Sequence, residues 1–220
     1  MRSKLGLGRG CRVIDLAAGT GKLTRLLVDA GVEVIAVEPT EGMRRVLEEA
    51  LPTIEAVDGT AESIPLGDSS ADLVTVAQAF HWFDRPAALA EIARVLRPGG
   101  GLALLWNERD DDVPWVAAMT EIMNESFEAS GAAPYERDID YAAAIEASAK
   151  FGPVSYEAFR FEQLMDADLL VERALSSSYM AVRPPDVQED AARRLRDVVA
   201  PLGREFGLPY RTDVFWCTRS

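Results

Sequence analysis

Short apolar runs alternate along the chain with segments in which apolar residues recur every three or four positions. Apolar runs at 13–16, 32–37, 71–74 and 101–106 predict buried strands. Between them, apolar residues at helical spacing predict helices, first through Leu23, Leu26 and Leu27 and then over 41–51 and 87–96. Strands that alternate with helices in this way are typical of an α/β protein with a parallel sheet.

The pattern changes character after Asn107. It predicts helices over 113–130 and 139–149, separated by Gly131 and Pro134, and then a strand over 154–164. Two further helices follow over 167–180 and 187–206, before a last strand at 214–217. With a further strand expected before Thr60, the first half has five strand–helix units. These and the two later strands fit a seven-stranded sheet with one antiparallel strand near its edge.

The first predicted strand leads into a turn of small residues. Asp15 ends the apolar run, and Ala17, Gly19 and Gly21 follow at every second position before a helix begins. Such a strand–turn–helix unit binds nucleotide-like ligands in α/β proteins. The spacing matches neither G-x-G-x-x-G nor the NTPase phosphate loop, and Asp15 suits a cationic amine better than a phosphate. A glycine turn without a ligand is the alternative interpretation.

The second predicted strand ends at another acidic residue, Glu38. A carboxylate at that position can accept the two ribose hydroxyls of a nucleoside. The alternative interpretation is a solvated carboxylate at a strand end. This interpretation is less favoured because Glu38 follows the Asp15 loop at the distance of one βαβ unit. Met43, in the following helix, could lie against a purine, although methionines in helices more often belong to the core.

Further motifs follow in a fixed order: Asp58-Gly59-Thr60-Ala61-Glu62-Ser63-Ile64-Pro65, Ala71-Asp72-Leu73-Val74, Ala77-Gln78-Ala79-Phe80-His81-Trp82-Phe83-Asp84 and Val95-Leu96-Arg97-Pro98-Gly99-Gly100-Gly101. With the Asp15 loop and Glu38, they resemble the class I S-adenosylmethionine-dependent methyltransferases, in the small-molecule branch often labelled type 11. The resemblance covers roughly residues 11–107. It implies a Rossmann-like three-layer α/β sandwich whose seven-stranded sheet is mostly parallel, with an antiparallel strand near the edge.

The resemblance also implies roles for individual residues. Asp15, Ala17 and Gly19 would line the amino-acid end of S-adenosylmethionine, and Thr20 and Gly21 would form the turn beneath it. Glu38 would bind the ribose, and Gln78 would lie near the methyl group. The adenine would be contacted by Pro39, Met43, Thr60, Ala61 and Glu62. Ala17 stands where many relatives have glycine, which the loop should tolerate unless φ is positive there. Thr60 stands where relatives often have aspartate, and a hydroxyl is a weaker acceptor than a carboxylate.

His81 is the only histidine of the chain and the candidate catalytic residue. It could act as a general base or orient the acceptor. The alternative is a histidine packed between Phe80 and Trp82. The sequence has no Cys/His/Asp cluster at metal-binding spacing, so we expect no metal. It also lacks a G-x-S-x-G elbow, which disfavours a hydrolase.

Composition disfavours several classes of partner. Acidic residues outnumber basic ones by 36 to 23, a net charge of −13, which disfavours nucleic acid. No apolar run reaches the ~20 residues that span a bilayer, and residues 1–8 have no apolar signal core. We therefore expect a cytoplasmic protein in which Cys11 and Cys217 stay reduced. The resemblance implies a small-molecule acceptor, and the sequence leaves a homodimer open.

The function that the resemblance implies is in-line methyl transfer by one domain over 1–220. Residues 1–107 would form the cofactor-binding half, and 108–220 the substrate-cap helices with the last two strands. A catalytically weak or inactive binding module is the main alternative, because relatives usually carry a longer segment before the first strand, here near Arg12. On that basis we expect weak binding of S-adenosylhomocysteine. A nicotinamide oxidoreductase conflicts with the glycine spacing.

Overall fold

The computed structural model describes residues 8, 10–129 and 140–220. Its strands are β1 (Arg12–Leu16), β2 (Glu33–Val37), β3 (Glu55–Val57), β4 (Ala71–Ala77), β5 (Leu96–Arg109), β6 (Ser155–Met165) and β7 (Phe206–Thr218). Its α-helices are α1 (Lys22–Asp29), α2 (Glu41–Ala50), α3 (Arg85–Val95), α4 (Pro114–Ala129), α5 (Tyr141–Glu146), α6 (Ala167–Leu175), α7 (Ser178–Ala181) and α8 (Pro185–Val199). None of the helices in these ranges is both long enough and apolar enough to cross a membrane.

The strands form one seven-stranded sheet in the order β3-β2-β1-β4-β5-β7-β6. Neighbours among β1 to β5 pair in parallel. Along β7 the direction reverses, because the Arg219 N–H donates to the Gly100 carbonyl while the Asp110 N–H donates to the Pro209 carbonyl. The predicted fold class is therefore confirmed: the sheet is mostly parallel, with an antiparallel strand next to its edge.

The described residues divide into two compact units. The first contains residues 8, 10–106, 140–157 and 213–220. Val13 and Ile14 point to opposite faces of β1, yet both are fully buried, because hydrophobic residues cover both faces of the sheet. Ile14 packs in a cluster with Phe80 and Ile92, whereas Val13 packs with Leu27 and Val34. This double coverage explains the continuous apolar run at the start of the sequence.

The second unit contains residues 107–129 and 158–212. Its core is built from the apolar faces of α4, α6 and α8 with the adjacent strand residues: Val116, Met119, Met123, Leu170, Val171, Leu195, Val199 and Leu208. Residues at α8 positions 191, 192, 195 and 199 are buried, a helical spacing that gives the helix one core-facing stripe.

Three predicted boundaries in the second half were wrong. The helix predicted over 167–180 is two helices, α6 and α7, and the Ser177 hydroxyl donates to the Ala174 carbonyl between them. The helix predicted over 187–206 ends at Val199, because Pro201 cannot continue it and Gly203 has a φ of 94°. Residues from Phe206 onward belong to β7, which is much longer than the predicted strand at 214–217. The predicted break at Gly131 and Pro134 lies outside the described residues.

The fifth strand also begins earlier than predicted. Leu96 already pairs with Ala71, and the register then shifts before Gly101 pairs with Leu73. The Arg97–Gly100 cluster ends the helix as predicted, but it forms an irregularity inside β5 rather than a separate turn.

Candidate functional site

A cleft of about 720 Å³ lies at the carboxyl ends of the parallel strands of the first unit. Its walls come from the segments that follow β1, β2, β3 and β4, with the first residues of α1 and α2. Eleven of the twelve predicted cofactor residues line it: Asp15, Ala17, Gly19, Thr20, Glu38, Pro39, Met43, Thr60, Ala61, Glu62 and Gln78. Gly21 and His81 do not. Topology causes this grouping, since the carboxyl ends of parallel strands meet at one edge of the sheet.

The loop after β1 is wound through left-handed backbone conformations. Gly19 and Gly21 have φ values of 57° and 82°, and Ala17 has a φ of 55°. The condition under which we expected the loop to tolerate an alanine is therefore not met. A side chain in this region costs roughly 1–2 kcal/mol, so Ala17 strains the loop where a glycine would not.

Gly21 does not line the cleft but lies where α1 packs against α2. It lies at the start of α1, and a Cβ atom built on it would lie 2.8 Å from Leu47 Cγ of α2. No carbon atom can sit that close without movement of its neighbour, so the glycine allows α1 and α2 to approach each other. Its predicted place beneath the amino-acid end of the cofactor stays a prediction.

Asp15 lies at the end of β1 with 1% of its surface exposed. Its Oδ2 accepts a 2.6 Å hydrogen bond from the Thr24 hydroxyl, and its Oδ1 accepts one of 3.2 Å from Thr75. Burial raises the pKa of Asp15 to about 6, an effect that the two threonine hydroxyls reduce but do not cancel. A cationic group of a ligand placed beside this carboxylate would be stabilised and would lower the pKa again.

Glu38 is the second buried carboxylate of the cleft, with 5% of its surface exposed. Its Oε2 accepts the Gly19 N–H at 2.9 Å and its Oε1 accepts the Thr40 N–H at 2.9 Å. A carboxylate has about four acceptor positions, so each oxygen can accept one more hydrogen bond. Glu38 can therefore hold the two loops in place and still receive a pair of hydroxyl donors.

Arg44 braces the same corner from α2, and the sequence analysis missed it. Its Nη1 donates to the Glu38 carbonyl at 2.6 Å and to Asp58 Oδ1 at 3.0 Å. The ends of β2 and β3 are thus tied to one side chain. The sequence carries no motif that singles out Arg44 among the arginines of α2.

The loop after β3 contributes a tightly packed glycine and an engaged carboxylate. A Cβ atom on Gly59 would clash with the ring of Pro65, which explains why the motif needs glycine before Thr60. Thr60 is exposed and pairs with Ser63 in an isolated bridge. Glu62 accepts the Asp84 N–H at 2.9 Å, so this side chain joins two loops of the cleft.

The segment after β4 turns sharply. Gln78 has a φ of 57°, and a short 3-10 turn follows at Phe80–Trp82. This turn directs Trp82 toward the cleft, where 75% of its surface is exposed. Met43 is the other large exposed apolar side chain of the cleft, at 45%. Both are available to contact a ligand.

The structure does not bring His81 into the cleft. Its ring centroid lies 4.6 Å from that of Trp82 and 6.0 Å from that of Trp106, and burial lowers its pKa. The packed-histidine interpretation placed the ring between Phe80 and Trp82, and the structure places it near Trp82 and Trp106. Trp82 belongs to the same 3-10 turn as His81, whereas Trp106 lies on β5.

Lys22, Thr40 and Gly59 also line the cleft but were not among the predicted cofactor residues. Lys22 follows the glycine turn directly, and Thr40 follows Glu38 by two positions. Proximity to the motifs was the only signal in the sequence that could have identified them.

Comparison with known proteins agrees with this geometry. A methyltransferase-domain family model matches residues 14–104. An uncharacterised methyltransferase of Mycobacterium tuberculosis is 40% identical over 189 residues, which are 86% of this chain and 73% of that protein. The chain therefore belongs to the class I S-adenosylmethionine-dependent methyltransferases.

Solved structures share the fold. The YcgJ protein of Bacillus subtilis superposes with a TM-score of 0.60 at 22% identity, covering 99% of this chain and 95% of that one. A phosphoethanolamine N-methyltransferase of Haemonchus contortus, solved with phosphomonomethylethanolamine and S-adenosylhomocysteine, gives a TM-score of 0.60 at 14% identity. That match covers 99% of this chain and 51% of the Haemonchus protein.

Proposed function

We propose that this methyltransferase binds S-adenosylmethionine in the cleft of the first unit and transfers its methyl group to a small-molecule acceptor. The observation that carries the proposal is the pair of buried carboxylates, Asp15 and Glu38, on the walls of one cleft. A nucleoside with a cationic tail presents an ammonium group and two adjacent hydroxyls, which these two carboxylates can accept.

The residues present fit that cofactor in size and chemistry. The cleft volume of about 720 Å³ falls within the ordinary range of ligand sites. Asp15 would stabilise the ammonium group, and Glu38, held by Gly19 and Thr40, would accept the ribose hydroxyls. Met43 offers an exposed apolar surface for the adenine. The cofactor is also bound, as its product, in the Haemonchus relative of the same fold.

When bound, the cofactor supplies a methyl group activated by a sulfonium centre. The protein then has to position an acceptor in line with the carbon–sulfur bond and keep water away from it. Asp15 and Glu38 would hold the cofactor so that its methyl group could pass to the lone pair of the acceptor, with the carbon–sulfur electrons left on sulfur. Gln78 and Trp82, after β4, line the cleft, and from the family resemblance we assign them to the surroundings of the methyl group.

His81 does not line the cleft, so we do not assign it the role of general base. An acceptor that needs no proton removed, such as a carboxylate, would require none. We further propose, from the family resemblance, that residues 108–220 supply acceptor-binding helices.

Calorimetric titration of the purified chain tests the proposal. We expect S-adenosylhomocysteine to bind with one site per chain, and NADH and ATP to bind at least about tenfold more weakly, because Asp15 and Glu38 repel phosphates. Equal or tighter binding of NADH would refute the cofactor assignment. Transfer of labelled methyl to an acceptor in a small-molecule extract would separate an enzyme from a binding module, and binding without transfer would favour the latter.

A further inference from the structure

The second unit contains its own cavity of about 270 Å³, and none of its lining residues lines the cleft of the first unit. Two arginines line it, Arg109 at the end of β5 and Arg173 on α6, together with Tyr210 of β7. We call it the second-unit cavity. All of its lining residues belong to the second unit.

The two arginines of the cavity differ in their ion pairing from other arginines of the second unit. Other arginines of the unit form ion pairs, Arg160 with Asp110 and Arg194 with Glu125 among them. Within the described residues, neither Arg109 nor Arg173 has such a pair. This is unexpected in a chain where acidic residues outnumber basic ones by 36 to 23.

Arg173 is held by neutral partners. Its Nη1 donates to Gln163 Oε1 at 2.6 Å, and its guanidinium carbon lies 5.4 Å from the centroid of the Tyr210 ring. Tyr210 itself is 5% exposed and is stacked on Phe161, with centroids 5.3 Å apart. The guanidinium group is therefore oriented before a ligand arrives, while its charge stays available to an anion.

The other walls of the cavity limit the kind of anion. Met119, Met123 and Leu170 are buried core residues that give it an apolar side. Glu108 also contributes to the lining, so a carboxylate lies near the two arginines. A negative charge there repels a phosphate dianion more strongly than it repels a monocarboxylate.

We propose that the second-unit cavity binds a small monocarboxylic acid with a short apolar body. Its carboxylate would lie against Arg109 and Arg173, whose planar groups can each donate two parallel hydrogen bonds. The apolar body would contact Met119, Met123 and Leu170. The cavity holds the volume of about nine waters, which restricts the ligand to a small molecule. This inference does not depend on methyl transfer.

A ligand-detected NMR titration with 4-methylpentanoate, and with 4-methylpentanamide as its neutral counterpart, tests the proposal. We expect the acid to bind with a dissociation constant of about 1 mM or below, and the amide at least about tenfold more weakly. Inorganic phosphate at the same concentration should not displace the acid. Equal binding of acid and amide, or stronger competition by phosphate, would overturn the carboxylate assignment.

Variants locate the binding. Arg109→Gln and Arg173→Gln should each weaken binding of the acid about tenfold, whereas Arg204→Gln, an exposed arginine of the same unit, should not. Circular dichroism and thermal unfolding confirm that each variant is folded. If both cavity variants bind the acid as the parent does, the proposal is wrong. The titrations with the acid, the amide and phosphate are done without cofactor. In a separate titration, Arg109→Gln should bind S-adenosylhomocysteine as tightly as the parent does. This control keeps the test separate from the proposed function.

Discussion

The Glu38 carboxylate accepts the backbone N–H of Gly19 at 2.9 Å, which joins the tip of β2 to the glycine loop after β1. One side chain thus shapes the loop and presents acceptor positions to the cleft. The two sequence features that first indicated a nucleoside site are physically coupled, so a change at Glu38 should affect both ligand binding and loop order.

Replacing Glu38 with glutamine should weaken binding of S-adenosylhomocysteine by at least about tenfold. The amide keeps the size of the side chain but loses one acceptor oxygen, so either Gly19 or Thr40 faces an NH₂ group and one ribose acceptor is lost. Calorimetry measures the affinity. Glu48→Gln, an exposed carboxylate on α2, is the matched control. Unchanged affinity in Glu38→Gln would remove this residue from the site.

Replacing Asp15 with asparagine should stabilise the fold at neutral pH. The folded pKa of about 6 exceeds the unfolded value of 3.8, so the folded state binds the proton more tightly and loses stability as the pH rises from about 4 to about 6. The variant lacks that loss and should gain up to about 3 kcal/mol at pH 7. Urea unfolding of both proteins checks this, and the difference should vanish below about pH 4.

Asp15→Asn should also lower the affinity of the protein for S-adenosylhomocysteine. The affinity of the parent for S-adenosylhomocysteine should fall as the pH is lowered through about 6, because protonated Asp15 no longer stabilises the ammonium group. Asp15→Asn should bind weakly across this range and show little of that dependence. The exposed Asp29→Asn serves as the control. Parent-like affinity in Asp15→Asn would mean that this carboxylate is structural only.

Ala17→Gly should leave the fold as stable or raise its stability by up to about 1 kcal/mol. Glycine removes the cost of a side chain at a φ of 55°, although it adds freedom to the unfolded chain. The neighbouring Ala18→Gly is the control, since Ala18 has no positive φ and should lose stability. Thermal unfolding measures both. Equal losses in the two variants would show that Ala17 is not strained.

Trp82 and His81 are adjacent but should behave differently. Trp82→Ala should weaken the binding of S-adenosylmethionine about fivefold, because an aromatic face in the cleft attracts the sulfonium charge. The binding of S-adenosylhomocysteine, which lacks that charge, should be weakened less. His81→Gln, away from the cleft, should bind both within about twofold of the parent. Competition binding with the two ligands measures the difference. A larger loss in His81→Gln would return the histidine to the site.

The sequence predicted the sheet and most of the cleft because both depend on local patterns. Val13 and Ile14 sit in a buried parallel strand, which leaves a continuous apolar run, and strand-end residues such as Asp15 and Glu38 are brought together by topology alone. The positive φ of Ala17 left no signal, because backbone conformation depends on the folded loop. The orientation of His81 away from the cleft likewise depends on a turn that the residue order does not specify.

The sequence also did not predict hydrogen bonds between side chains that are far apart in the chain. Thr75 is 60 positions from the Asp15 carboxylate that it contacts, and Arg44 is 14 positions from Asp58. Neither pairing follows from helical or strand periodicity. They became visible only once the packing of β1 beside β4, and of α2 beside β3, was known.

A crystal structure of the chain with S-adenosylhomocysteine tests the central claim most directly. The account predicts that both ribose hydroxyls donate to the Glu38 carboxylate at about 2.6–3.0 Å, with the ammonium group of the ligand on the Asp15 side of the cleft. A ligand seated elsewhere, or one whose ribose makes no hydrogen bond to Glu38, would contradict it.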